Sequence, residues 1–364
     1  MWLADLGARV IKVERPGTGD DTRAFGPPWA GSSSAYFESA NRLKESIALD
    51  LANPYDAALA RTLAARADVV LENFRAGSLE RFGLDPEAVR RTNPRAVYCS
   101  ITGFGSGAGA HLPGYDFLVQ AVGGLMSITG DADGEPRKVG VALVDLLAAK
   151  DAVIGILAAL RHRDATGEGQ HVEVDLLSSL LASLANQASS FLATGDAPRS
   201  MGNQHPSIAP YETLRAADGM LAVAVGSDRQ FRALAVALGV PALAADARFA
   251  SNGDRVGHRA ALIAGLEEAL ARIPVDDAVE RMLAAGVPAG RVADIPSAFA
   301  LATSLGLEPL VDVGEGHPAQ VRHPVRYSAF TPETPTAPPA LDAHGEALRR
   351  WLGAPDERAV HNGE

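Results

Sequence analysis

The chain has 364 residues, 47% of them hydrophobic and 21% charged, with a net charge of −11 and a single cysteine. That composition belongs to a globular protein with room for about two domains. With no Lys/Arg run to neutralise a string of phosphates, nucleic acid is an unsuitable partner. One cysteine, Cys99, permits neither an intrachain disulfide nor a thiolate metal cage, and fits a reducing cytoplasm.

In chain order, the opening MWLADLGARVIKVERP carries acids too early for a signal peptide. No later apolar stretch approaches the ~20 residues of a membrane span. RVIKVE (9–14) reads as a strand ending in the turn PGTGDD. NPYDAALARTLAARA (53–67) reads as a helix opened by Asn53 and Pro54, and ADVVLEN (67–73) as a β-branched strand. LDPEAVRRTN (84–93) is a helix, and AVYCSITGFG (96–105) a strand running into glycines. Alternation of this kind predicts a parallel sheet covered by helices. VGVALV (139–144) reads as a further strand. A long apolar helix follows it to about residue 166, with Gly167 at its stop. HVEVDLL (171–177) runs into one more helix, SSLLASLANQASSFLATG.

Residues 1–195 are therefore expected to form the N-terminal part of a large domain. The polar, turn-rich stretch 196–219 is expected to be a linker and 220–310 a small domain with one clear strand, MLAVAVG. A proline-rich extended linker follows over 311–340, and 341–364 returns to the large domain.

Common catalytic signatures are missing: no HExxH, no Cys/His metal spacing, no GxxxxGK[ST] and no GxSxG. The glycine runs GTGDD and GFGSGAG lack the spacing that cradles a phosphate, and read as turn-formers. His111 and His205 read as loop histidines at the surface. Asp145 is the anomaly, a carboxylate inside VGVALVDLLAAKDAVIGILAAL. It has two compatible readings, as the N-cap of the following helix or as a carboxylate aimed into a cleft. A carboxylate is ionised at neutral pH and needs no base to attack, but it is a weak nucleophile. It requires a reactive acyl group such as a thioester, and an apolar wall to keep water from the resulting anhydride.

Six stretches together carry a resemblance over nearly the whole chain: LADLGARVIKVERPGTGDDTR (3–23), NRLKESIALDL (41–51), ADVVLENFRAGSLERFGLD (67–85), SITGFG with PGYDFLVQAVGGLMSITG (100–130), VGVALVDLLAAKDAVIGILAAL (139–160) and RHRDATGEGQHVEVDLLSSLL (161–181). In this order the chain resembles the class III CoA-transferases, the CaiB/BaiF family, which includes formyl-CoA transferase and, as a divergent branch, 2-methylacyl-CoA racemase. The resemblance implies an α/β fold with a Rossmann-like large domain built from both chain ends, a smaller α+β domain, and an interlocked homodimer.

It also implies CoA transfer from an acyl-CoA to a free carboxylic acid through an aspartyl anhydride and an aspartyl-CoA thioester. Asp145 is the implied nucleophile, CoA is a substrate, and there is no permanent cofactor or metal. Arg15, Asn73, Phe74 and Arg81 match CoA-contacting positions. Tyr115 stands where racemases of the family carry histidine; tyrosine is a poor base near neutral pH, so Tyr115 is expected to touch substrate and transfer is favoured over racemisation. Racemisation, and a truncated CoA-binding homologue without activity, are the alternatives.

Departures are specific. The family pattern opens with an earlier strand and loop, whereas this chain opens in the helix after them; either its start is assigned too late or a central strand is missing. Glu45 replaces a usual base, Pro113 replaces the lysine of the formyl branch, and LDAHGE replaces the usual motif near the C-terminus. GNQHPSIAPYE (202–212) resembles the linker of dicarboxylate-handling members.

Overall fold

The computed structural model describes residues 1–31, 33–331 and 334–353. Residues 332 and 333 of the proline-rich stretch, and the expected return beyond 353, lie outside the described residues.

Strand β1 (Val10–Glu14) pairs in parallel with β2 (Lys44–Ala48), Val10 opposite Lys44 and Glu14 opposite Ala48. Between them lies the short helix α1 (Ala35–Asn41), capped by Ser34, whose hydroxyl accepts the Phe37 N–H. Helix α2 (Pro54–Arg66) starts as its sequence dictates, with Asn53 capping and proline at the first position. Strand β3 (Val69–Glu72) follows, then α3 (Pro86–Thr92) behind its cap Asp85, then β4 (Val97–Thr102). After α4 (Asp116–Val122) comes the long α5 (Leu143–Thr166), stopped by Gly167 in the left-handed conformation at φ 82°. Strand β5 (His171–Asp175) leads into α6 (Leu176–Ser183), and α7 (Ala185–Thr194) follows.

Strands β3, β4 and β5 form a parallel ladder in that order. Each ladder is parallel, as the alternating pattern predicts. The single sheet expected from the sequence is not continuous, because among the described residues no hydrogen-bonded pairing links β1 and β2 to β3, β4 and β5.

Strand β4 explains why its sequence is nearly all apolar. Side chains alternate faces along a strand. Tyr98 packs on one side among Ile47, Leu59 and Leu84, while Val97 and Cys99 pack on the other against Ala152, Ile156 and Ala159 of α5. A central parallel strand buried on both faces has no position for a charge.

Two readings are corrected here. VGVALV is not a strand: residues 139–142 are irregular and α5 begins at Leu143. Its short apolar run mimics a buried strand, but among the described residues it joins no sheet. The single helix expected over 178–195 breaks into α6 and α7, because Ala185 takes a positive φ of 46° that no α-helix accommodates.

The described chain divides into two compact units. One comprises Met1–Gly123, Gly140–Ala185 and the segment from Ala302 onward; the other comprises Gly124–Val139 and Asn186–Leu301. The segment 124–139, expected in the large domain, sits in the second unit, where Gly202 N–H donates to Gly130 O and Ser200 Oγ to Asp131 O.

The second unit holds an antiparallel sheet of β6 (Tyr211–Ala216), β7 (Gly219–Ala224) and β8 (Ala289–Arg291), ordered β8-β7-β6. Strand β6 lies in the stretch expected to be a linker. Its alternation, with Glu212, Leu214 and Ala216 buried, is hidden by the polar residues before it. Helices α8 (Asp228–Ala237), α9 (Arg259–Leu270) and α10 (Val275–Ala284) cover the sheet. Leu262, Leu266 and Leu270 recur every fourth residue on α9 and are fully buried, each contributing roughly 1.5–3 kcal/mol. The chain re-enters the first unit at Ala302 and forms α11 (Gly345–Gly353), whose Leu348 and Leu352 join the cluster around Ile47 and Leu59.

Candidate active site

A cleft of about 850 Å³ opens within the first unit, a volume usual for small-molecule sites. Glu72 and Thr102, the last residues of β3 and β4, line it, and so does Leu176, the first residue after β5. This carboxyl edge is where open α/β sheets receive ligands.

The loop leaving β4 is pinned by two glycines. A Cβ on Gly103 would lie 2.3 Å from the Gly114 Cα, and one on Gly114 would lie 2.4 Å from the Gly103 Cα. The backbones cross so closely that only glycine fits at either position. The loop therefore closes on itself and delivers Tyr115 and Asp116 to the start of α4.

Asp116 then does what the sequence reading gave to Asp145. Its Oδ1 accepts the backbone N–H of Val144 at 2.7 Å and that of Asp145 at 3.4 Å, while its Oδ2 accepts from Gln120 Nε2 at 2.7 Å. The formal N-cap position of α5, Ala142, has no side chain able to cap. The cap comes from another helix, and Asp145 sits in the first turn instead of at the cap.

Asp145 is thereby free. Its carboxylate lines the cleft, and no described residue donates a hydrogen bond to it. Burial, and then the like charge of Asp116, push the carboxyl above the usual aspartate range. The positive end of the long helix α5 opposes this in part. Ala148, Ala149 and Ile101 wall the cleft around it.

Four residues expected from the sequence share this cleft: Asn73, Phe74, Tyr115 and Asp145. Glu72 holds the turn that presents two of them, its Oε2 accepting the Phe74 N–H at 2.8 Å. Tyr115 is 75% exposed, its ring open to solvent. Arg15 does not line the cleft; it pairs with Asp21, which does. Arg81 also lies outside the lining, its guanidinium 4.5 Å above the Phe82 ring.

Three contributors escaped the sequence reading. His111, taken for a surface histidine, lines the cleft, as does Arg75. Tyr36 lies near enough to feel both carboxylates: burial first, then Asp145 and Asp116, raise its hydroxyl above the ordinary tyrosine value. For His111 the usable signal was its place four residues before Tyr115 in a glycine-rich loop leaving a strand. Tyr36 gave no such signal, since only the tertiary fold brings α1 to the site.

The profile of CoA-transferase family III matches residues 1–345. The chain belongs to that family. It is an enzyme of the class III CoA-transferases, similar over most of its length to members of known activity. It is 46% identical over 305 residues to succinate–glutarate CoA-transferase of Agrobacterium fabrum, covering 82% of this chain and 76% of that one. It is 40% identical over 359 residues to acetyl-CoA:oxalate CoA-transferase of Acetobacter aceti, covering 98% and 92%. Among solved structures, a CAIB/BAIF family protein from Brucella suis superposes with a TM-score of 0.87 at 44% identity, over 96% of this chain and 93% of that one. The mixed α/β fold described above is the fold of that structure.

Proposed function

We propose that this enzyme transfers CoA from an acyl-CoA to a free dicarboxylic acid, with Asp145 carrying first the acyl group and then CoA. The observation that carries the reading is a carboxylate in the first turn of α5 that faces a cleft and accepts no hydrogen bond from the described residues. An aspartate recruited for structure would be engaged; here Asp116 holds the helix and leaves Asp145 available.

The chemistry follows from that freedom. The Asp145 carboxylate attacks the thioester carbonyl; a C–O bond forms, the C–S bond breaks, and CoA thiolate leaves behind a mixed anhydride. The thiolate returns to the Asp145 carbonyl, expels the donor acid as its carboxylate, and leaves an aspartyl-CoA thioester. The acceptor carboxylate attacks that carbonyl and expels the thiolate, forming a second anhydride. Attack of the thiolate on the acceptor's acyl carbon yields the new acyl-CoA and restores Asp145. The apolar wall of the cleft slows hydrolysis of both anhydrides. The positive end of α5 stabilises the oxyanion at each step.

Asn73, Phe74 and Tyr115 contact the CoA and acyl portions, and Arg15 with Arg81 meets the phosphates nearer solvent. The dicarboxylate preference rests on the acids named for the two relatives, which are succinate, glutarate and oxalate. The first unit is a Rossmann-like domain, and the working form is an interlocked homodimer. Supporting the dimer, one side of α5 buries Val144, Ala148, Ala152 and Ile156, whereas Leu146, Ile154 and Leu157 stay exposed, Ile154 by 65%. An apolar stripe of that kind marks an interface.

The direct test is Asp145→Ala: CoA exchange between acetyl-CoA and glutarate should disappear while CoA binding by calorimetry persists. Exchange that survives in this variant refutes the mechanism.

A further inference from the structure

Among the described residues three acids line the cleft, and two basic side chains do, Arg75 and His111. Glu72 is occupied with the Phe74 amide and Asp21 with Arg15. Arg75 and His111 engage no carboxylate and make no side-chain hydrogen bond with described residues. A second anionic group on the substrate, besides the reacting carboxylate, has these two sites to meet it.

We infer that His111 is the specificity residue for the acceptor acid, donating a hydrogen bond to the carboxylate remote from the one that reacts at Asp145. This rests on the transferase reading above and adds the element that distinguishes a diacid from a monoacid.

Geometry favours His111 over Arg75. The loop 103–114 is closed at its base by the Gly103–Gly114 crossing and folded on itself within. The Ala110 N–H donates to Gly107 O at 3.1 Å and the Leu112 N–H to Gly109 O at 3.0 Å. A Cβ on Gly109 would lie 2.3 Å from Phe104 O, so the loop returns onto its own stem. A compact loop with joined ends is an Ω-loop, held by its own packing. Two residues beyond its base, Asp116 grips the first turn of α5 through Val144 and Asp145. His111 and Asp145 are thus tied to one continuous support, which fixes the span between them and hence the length of diacid accepted. Arg75 stands elsewhere, in the turn after β3 beside Asn73 and Phe74. An imidazole has an N–H to donate in either protonation state. A site built to bond a polar group also discriminates strongly against analogues that lack it.

The experiment uses the whole enzyme with acetyl-CoA as donor, which has no second carboxylate, and compares glutarate with butyrate as acceptor. His111→Ala should lower kcat/KM for glutarate by about tenfold or more, leaving butyrate transfer and the KM for acetyl-CoA unchanged within about twofold. His111→Lys should restore glutarate, which a merely structural role for His111 would not allow. Equal losses for both acids, no loss for either, or a glutarate-selective loss in Arg75→Ala with His111→Ala silent, would each overturn the assignment. A wild-type enzyme that transfers CoA yet prefers butyrate overturns it, and the dicarboxylate preference with it, while leaving CoA transfer through Asp145 intact. A wild-type enzyme that transfers CoA to no acid overturns both.

Discussion

Replacing Asp116 separates the two things it does to Asp145, holding the helix that carries it and repelling its charge. In Asp116→Ala the Val144 N–H loses an acceptor at 2.7 Å and the Asp145 N–H its longer contact. Losing a cap costs ~1 kcal/mol, within a range of 0.5–2, and a hydrogen bond to a charged acceptor ~1.5–3 kcal/mol. These overlap, because they describe the same bond, and relief of repulsion against Asp145 offsets part. The net loss is about 1–2 kcal/mol, read as a fall of roughly 2–8 °C in the melting temperature. Asp116→Asn keeps an oxygen acceptor for Val144 but loses the one that Gln120 Nε2 donates to, so it should melt below wild type and above Asp116→Ala.

The kinetic readout is opposite in sense. Burial first and Asp116 second raise the Asp145 carboxyl above its ordinary value. Only the ionised form attacks, so activity is lost as pH falls through the folded value. Removing the Asp116 charge removes the second cause, so Asp116→Asn should move the acid limb of kcat/KM to lower pH. Linkage carries the same sign. A raised folded value means that ionised Asp145 destabilises the native state at neutral pH. That burden is absent below the ordinary aspartate range and complete above the folded value. Asp145→Asn should therefore stabilise the protein at pH 7, with the gain vanishing near pH 3. An Asp116→Ala protein as stable as wild type, or an acid limb that moves upward in Asp116→Asn, would refute this reasoning.

Two further predictions follow from the packing. Gly114→Ala places a Cβ 2.4 Å from the Gly103 Cα, so the loop must open; acceptor KM should rise while circular dichroism stays native, and unchanged kinetics would show the crossing to be irrelevant. Ile154→Glu puts a charge on the exposed stripe of α5 and should weaken the proposed dimer at least 100-fold by analytical ultracentrifugation, with an unchanged sedimentation coefficient as the contrary result.

Much of the first unit is legible in the sequence because its signals are local. Asn53 with Pro54, Asp85 with Pro86, and Gly167 mark helix ends where they are found. The run VYCSI marks a strand buried on both faces. What failed did so through long-range competition. VGVALV has the composition of a strand, but among the described residues it belongs to no sheet. Asp145 has the local position of a cap, but Asp116, 29 residues earlier, supplies the bond. The break between α6 and α7 depends on one positive φ at Ala185, a residue with no propensity for it.

The site divides along the same line. Asp145, Tyr115, Asn73 and Phe74 come from contiguous motifs and converge on one cleft. Arg15 and Arg81 come from motifs too, yet Arg15 reaches the rim only through Asp21, and Arg81 lies over Phe82, outside the lining. The contributions of Tyr36 and His111 exist only once α1 and the glycine-pinned loop are folded around α5.

The most direct measurement is mass spectrometry of the enzyme quenched during turnover with acetyl-CoA and glutarate. Trypsin releases residues 139–150, VGVALVDLLAAK, in which Asp145 is the only carboxylate side chain. The account predicts that this peptide carries the added mass of CoA, removable by hydroxylamine and absent from Asp145→Asn. An enzyme that turns over while this peptide stays unmodified, with the adduct on another peptide or on none, would contradict it.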